Sequence, residues 1–141
     1  MGFIDLNLGE DVKEKDNAPE GAYDLVVTDV AIRDYEADND GESVTSNYIM
    51  ILHEIEGDGN YKKVFHQLWL PTSFDDTDKT YNKQVGIKKY LSAAGVPFEA
   101  SGFNIEDIQG ARFSCNLGIE TDDSGKYDDR NNLKLPRLPS E

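Results

Sequence analysis

Five strand-like stretches and one helical stretch constrain the fold of this chain more than any other sequence feature. Alternating or β-branched apolar residues indicate strands at residues 23 to 35, 44 to 55, 61 to 70, 111 to 120 and 130 to 135. Short turn sequences separate the first three strands, which should therefore pair as an antiparallel meander. Apolar residues at helical spacing predict a single helix at residues 79 to 94, which Gly95 and Pro97 end.

This order of elements predicts an all-β fold with one helix, a five-stranded OB-fold barrel whose helix lies between strands 3 and 4. A chain of 141 residues suits one domain with a core of its own. We assign residues 21 to 141 to the OB-fold nucleic-acid-binding domain and residues 1 to 20 to a flexible, acidic N-terminal arm. The apolar residues of the arm either cap an edge of the domain or bind a partner; they are Phe3, Ile4, Leu6 and Leu8.

The third strand carries aromatic and polar residues on one side. Its odd positions hold Tyr61, Lys63, Phe65, Gln67 and Trp69. Its even positions include Val64 and Leu68, which suit a core. Lysine is rarely buried, so Lys63 favours the interpretation that the odd side is open. In the alternative phase, Phe65 and Trp69 would lie in the core beneath the helix.

Strands 2 and 3 of an OB fold, with the loops beside them, form its binding surface. Exposed aromatic rings stack on nucleic-acid bases, and lysine and arginine side chains bind the phosphates. The residues predicted to bind nucleic acid are Tyr48, Lys63, Phe65, Trp69, Arg112, Lys126, Tyr127, Arg130 and Lys134. The loop at residues 121 to 130 is equally consistent with an ordinary hairpin turn, in which its basic residues contact no ligand.

The net charge of −14 argues against a polyanionic ligand at first sight, because phosphate binding depends on lysine and arginine. The charge is unevenly distributed, however. Residues 1 to 60 contain 16 acidic and 3 basic residues, whereas residues 61 to 141 contain 12 acidic and 11 basic residues. Six lysines face three aspartates within residues 61 to 91, so this part of the chain is locally basic. We interpret the helix lysines as a solvated face, with phosphate guidance as the alternative; they are Lys79, Lys83, Lys88 and Lys89.

Nothing in the sequence indicates an enzyme or a metal protein. Cys115 is the single cysteine, which excludes an internal disulfide and is typical of a reducing cytoplasm. His53 and His66 have no third zinc ligand near them in sequence. The chain contains no nucleophile elbow and no P-loop. We therefore expect no catalytic residue, no metal and no cofactor, and no apolar run long enough to cross a membrane.

Five short motifs, in their order along the chain, resemble a family of small bacteriophage proteins (DUF669) that look like single-stranded DNA-binding proteins with an OB fold. The motifs are PEGAY at residues 19 to 23, HEIEG at 53 to 57, KKYLSAAG at 88 to 95, IQGARF at 108 to 113 and LPR at 135 to 137. The resemblance covers most of residues 19 to 139. It implies a phage protein that coats single-stranded DNA during replication or recombination, in the cytoplasm of the host cell.

From the residues and the resemblance together we expect low sequence specificity and no membrane partner. The N-terminal arm would contact phage or host replication and recombination proteins, and a homodimer is left open. The alternative function is a protein-interaction or virion component, which would use an OB-like barrel with an acidic surface to bind a basic partner.

Overall fold

The structure is a computed structural model that describes residues 2 to 39, 41 to 57, 59 to 121, 123 to 125 and 128 to 138. Its elements are β1 (Gly21–Asn39), β2 (Glu42–Ile55), β3 (Val64–Trp69), α1 (Thr77–Ala94), β4 (Arg112–Glu120) and β5 (Arg130–Lys134), with a 3-10 turn at Ile105–Asp107. The predicted all-β class with one helix between strands 3 and 4 is confirmed. β1 and β2 are longer than predicted because they stay paired to the end of their hairpin.

The five strands form one antiparallel sheet in the order β3-β2-β1-β4-β5. Its two edge strands, β3 and β5, lie beside each other, but no ladder of hydrogen bonds joins them in the described part of the chain. The prediction of a barrel is corrected in this respect, since the sheet is not closed. We call the gap between these strands the β3–β5 seam. A partly open barrel is still within the range of OB folds.

Residues 16 to 18 occupy one end of the β3–β5 seam. The backbone N–H of Lys62 donates a hydrogen bond to the Asp16 carbonyl (2.9 Å). The side-chain amide of Asn131 both accepts from the Ala18 N–H and donates to the Ala18 carbonyl, each at 2.8 Å. Ala18 is fully buried. The last residues of the predicted arm, 16 to 18, therefore pack against the sheet.

The helix α1 covers the inner side of the sheet. It begins after Asp76, whose carboxylate accepts a hydrogen bond from the Lys79 N–H (2.7 Å), and it ends at Gly95, which has a left-handed φ of 69°. Tyr90 and Leu91 pack from α1 into the main hydrophobic core, which also includes Ile51 of β2. Within the described residues, no helix has the length and apolar character needed to cross a membrane.

A register shift between Val27 and Asp29 divides β1 into two parts of opposite phase. Before the shift, Leu25 and Val27 point into the core, with 0% and 2% exposure. After it, the even-numbered Val30 packs against the core, so the odd-numbered residues lie on the outer side. The outer side of β1 beyond the shift therefore carries Arg33, which lies opposite Tyr48 of β2.

Candidate nucleic-acid interface

β3 presents Phe65, Gln67 and Trp69 on the outer side of the sheet. Val64 and Leu68 alternate with them and are only 1% and 2% exposed, because they lie in the core. The three outer residues are half-buried and belong to neither core cluster. The structure therefore has the phase in which the odd side of the third strand is open, and the alternative, with both aromatic residues beneath the helix, is wrong.

Aromatic side chains from three strands meet around Trp69. Tyr48 of β2 lies opposite Trp69, with ring centroids 4.8 Å apart and planes tilted by 44°. Tyr35 of β1 contacts the same indole edge to face, at 5.6 Å and 85°. We call Tyr35, Tyr48, Phe65 and Trp69 the aromatic face. The rings of Tyr35 and Tyr48 brace Trp69, and Tyr35 is 53% exposed, so the face offers π surface to a flat ligand.

Tyr35 is the one member of the aromatic face that the sequence did not predict. Counting alternate positions from Leu25 and Val27 would put odd-numbered residues of β1 in the core. The register shift reverses this assignment, and nothing in the local sequence marks where it falls. The aromatic character of residue 35 within a strand otherwise rich in β-branched residues was the only available signal.

A small cavity of about 190 Å³ continues the aromatic face across the β3–β5 seam. Its walls include Phe65, Gln67, Trp69, Glu120, Arg130 and Asn132. The cavity therefore brings Arg130, a candidate phosphate contact, beside two aromatic side chains. The Oδ1 atom of Asn132 is buried and has no hydrogen-bond partner among the described residues.

All four described cations of the predicted site are paired with carboxylates. The pairs are Lys63 with Asp29 (3.5 Å), Arg112 with Glu56 (3.1 Å), Arg130 with Glu120 (3.1 Å) and Lys134 with Glu20 (3.7 Å). Each pair is exposed, so each is worth at most about 1 kcal/mol. A phosphate group can displace such a carboxylate at small cost. Two further residues predicted to bind nucleic acid, Lys126 and Tyr127 of the loop at residues 121 to 130, lie outside the described residues.

The cations are not all near the aromatic face. Arg130 lines the cavity, and Lys63 directly precedes β3. Arg112 lies opposite Val26, seven residues before Arg33 on β1, which separates it from Tyr48 by about 20 Å along the strands. Lys134 lies about 13 Å along β5 from Arg130. The structure therefore groups Lys63 and Arg130 with the predicted aromatic residues, but not Arg112.

A cluster of His53, His66 and Tyr90 lies on the inner side of the same strands; His53 and Tyr90 are fully buried and His66 is half-buried. His53 Nδ1–H donates to the Val64 carbonyl (2.9 Å), so its Nε2 accepts from the Tyr90 hydroxyl (2.7 Å). The His66 ring stacks on Tyr90, with centroids 5.1 Å apart and planes 15° from parallel. The two histidines thus share Tyr90 as a common packing partner.

Burial controls the charge of this cluster. It lowers the pKa of His53 to about 4, although the hydrogen bond to Val64 acts in the opposite direction. Burial and, to a lesser extent, the charge of His53 lower the pKa of His66 to about 4. Burial raises the pKa of Tyr90 above its usual range. At neutral pH the three groups are therefore uncharged and act as packing groups. No set of three potential metal ligands occurs among the residues that the structure describes.

No protein-family model and no curated protein matches this chain. The resemblance of the five short motifs to a phage family therefore remains an expectation from sequence. The functional interpretation depends on the geometry of the aromatic face and its cavity.

Proposed function

We propose that this chain is a non-enzymatic single-stranded DNA-binding protein of a bacteriophage, acting in the cytoplasm of the host cell. It would coat single strands without strong sequence specificity during replication or recombination. The observation that supports this proposal is the aromatic face, which lies on strands 2 and 3 and the adjoining part of β1. This is the surface that OB folds use for oligonucleotides.

The aromatic face suits unpaired bases better than a duplex. Stacking needs a free base plane, which a single strand offers and a double helix does not. Each base stacked on an aromatic ring contributes about 1 to 3 kcal/mol, and every base has such a plane, so binding of this kind tolerates all sequences. In our proposal, bases stack on Phe65 and Trp69, which line the adjoining cavity.

The cations on either side of the aromatic face would bind the phosphates. Arg130 would exchange Glu120 for a phosphate, and Lys63 would exchange Asp29. A carboxylate that is released in this way attracts cations of its own, so fewer ions are set free than for an unpaired lysine or arginine. We therefore expect affinity to fall with salt, but less steeply than the number of basic residues would suggest.

The paired cations also favour a second candidate function. An acidic chain whose described phosphate-contact candidates are all paired with carboxylates would suit a protein-interaction or virion component that binds a basic partner. An electrophoretic mobility assay separates the two functions. A shift with single-stranded DNA and none with duplex supports the first, and no shift with either supports the second.

The fluorescence of Trp69 tests the proposed function directly, because it is the single tryptophan of the chain. Titration with oligo-dT at low salt should quench this fluorescence. The variant Phe65→Ala should bind about tenfold more weakly, since one stacking ring is lost. Tyr81→Ala is the matched control, because Tyr81 is an aromatic residue of α1 that is 64% exposed and lies outside the aromatic face. Absence of quenching with the protein folded would falsify the proposal.

A further inference from the structure

Arg33 of β1 is a cation beside the aromatic face that the sequence did not predict. The register of the sheet places it opposite Tyr48 of β2, and Tyr48 lies opposite Trp69 of β3. The three residues therefore form one row across neighbouring strands, and β1 lies about 10 Å from β3. The register shift that brings Tyr35 to the outer side of β1 brings Arg33 there as well.

Arg33 differs from the four cations described above because it is not paired. Its side chain is exposed and forms no ion pair and no hydrogen bond with any residue that the structure describes. The outer-side positions next to it along β1 and β2 carry no charge; they are Ala31, Tyr35, Ser46 and Met50.

The acidic residues near Arg33 in sequence do not lie on its side of the sheet or are already paired. Asp34 and Glu36 are at even positions of β1, which belong to the inner side after the register shift. Asp29 is on the outer side, but it lies about 13 Å along β1 from Arg33 and is paired with Lys63. A phosphate group can therefore bind Arg33 without displacing a carboxylate.

The row places the aromatic face between two arginine residues. On one side of it, Arg130 lines the cavity at the β3–β5 seam together with Trp69. On the other side, Arg33 follows Tyr48. Sites for single strands combine rings that stack the bases with cations that follow the backbone. The guanidinium group also matches the geometry of a phosphate, to which it can donate two parallel hydrogen bonds.

We propose that Arg33 binds a backbone phosphate of the single strand, on the side of the aromatic face away from the β3–β5 seam. This inference rests on the proposed function and adds to it a contact that the sequence did not identify. The bound strand then extends over β2 to β1. Because Arg33 releases no carboxylate, its contact should contribute close to the full counterion release of one phosphate, about 0.7 in the slope of log affinity against log salt. The paired Lys63 should contribute less.

Titrations of Trp69 fluorescence with oligo-dT at several salt concentrations test this contact. Arg33→Gln should lower the steepness of the salt dependence by about 0.7. Affinity should fall about eightfold at about 50 mM salt and about threefold at about 200 mM, because the lost contact is electrostatic. Lys63→Gln should change the slope by less. Arg33→Lys should bind within about twofold of the unsubstituted chain, since a lysine keeps the charge that holds the phosphate.

Lys88→Gln is the matched control, because Lys88 is an exposed cation of α1, on the other side of the sheet, with no ion pair to a described residue. Equal losses of affinity in Arg33→Gln and Lys88→Gln would attribute the effect to net charge and overturn the inference. So would an unchanged salt slope in Arg33→Gln, or an Arg33→Lys variant as weak as Arg33→Gln, which would indicate that the guanidinium plane stacks on a base.

Failure of this inference can be told apart from failure of the proposed function. If oligo-dT quenches Trp69 in the unsubstituted chain and Arg33→Gln binds equally well, the proposed function stands and the contact at Arg33 does not. If oligo-dT leaves the unsubstituted chain unchanged, the proposed function is wrong and the inference falls with it. Circular dichroism of each variant checks that the fold is intact.

Discussion

The two sides of β3 differ in chemistry although they alternate along only six residues. The inner side carries Val64 and Leu68, which are almost inaccessible, and His66, which stacks on Tyr90 beneath the sheet. The outer side carries Phe65 and Trp69, half-buried beside a cavity. On the inner side, α1 packs against Leu68 and His66, and Val64 belongs to a second core cluster with Leu25. On the outer side, Tyr35 and Tyr48 brace Trp69.

The phase of a strand thus decides which of its side chains pack in the core and which are open to a ligand. Neighbouring apolar residues, such as Leu68 and Trp69, should serve stability on one side and ligand binding on the other. Substitutions on the two sides should therefore separate the free energy of unfolding from the free energy of DNA binding. The predictions below test this separation.

The largest effect is expected on the inner side. Leu68→Ala should lower the free energy of unfolding by about 2 to 5 kcal/mol, because it leaves a cavity in the core beneath α1. Gln67→Ala, one residue away on the outer side, should change it by about 0.5 kcal/mol or less. Urea denaturation of both variants measures the difference. Equal losses of stability would show that the two sides of β3 are not distinct.

The two histidines of the inner side should make it sensitive to acid. Unfolded histidine has a pKa of about 6.5, and burial lowers the pKa of His53 to about 4, so the unfolded chain binds the proton more readily. The stability that comes from neutral His53 is therefore fully present above about pH 6.5 and is lost as the pH falls from there to about 4. The loss amounts to about 2 kcal/mol at pH 5 for His53, and His66 adds to it.

The variant His53→Leu serves as the control for this pH dependence. Its absolute stability is expected to be lower, because the Tyr90 hydroxyl loses its acceptor. Its stability should nevertheless fall less between pH 6.5 and 4, since one proton-binding group is gone. Protonation of the many carboxylates affects both proteins alike and cancels in the comparison. Parallel curves of unfolding free energy against pH would contradict the assigned role of His53.

The inner and outer sides of β3 were predictable from sequence because they depend on alternation within one strand. Lys63 identified the open side, and Tyr48 followed from the pairing of adjacent strands in a hairpin. The element order and the single helix were predictable for the same reason, since each depends on a local pattern. The position of Tyr35 on the aromatic face was not predictable, because the register shift in β1 depends on how β1 packs against two partners at once.

Long-range contacts explain what else the sequence did not predict. The pairs Arg112 with Glu56 and Lys134 with Glu20 join residues far apart in the chain. No local pattern specifies them, so the cations looked free in the sequence. The seam between β3 and β5 and the burial of Ala18 also depend on how the sheet curves as a whole. Strand phase was thus visible from the sequence, but sheet closure and surface charge pairing were not.

The smallest expected effect concerns the charges of the outer side. Glu120→Gln should free Arg130, which lies 3.1 Å from the carboxylate and lines the cavity beside the aromatic face. Affinity for oligo-dT should rise up to about fivefold, in keeping with the small energy of an exposed ion pair. The salt dependence should become steeper, because binding no longer releases a carboxylate that takes up cations.

Fluorescence titrations at several salt concentrations measure both changes. Glu106→Gln is the matched control. Glu106 is an exposed residue of the 3-10 turn, so this substitution removes the same charge at a position that forms no ion pair with the cations of the site. An equal gain in the two variants would attribute the effect to net charge alone. An unchanged salt dependence in Glu120→Gln would show that Arg130 does not contact phosphate, and the cavity would then bind through its aromatic residues only.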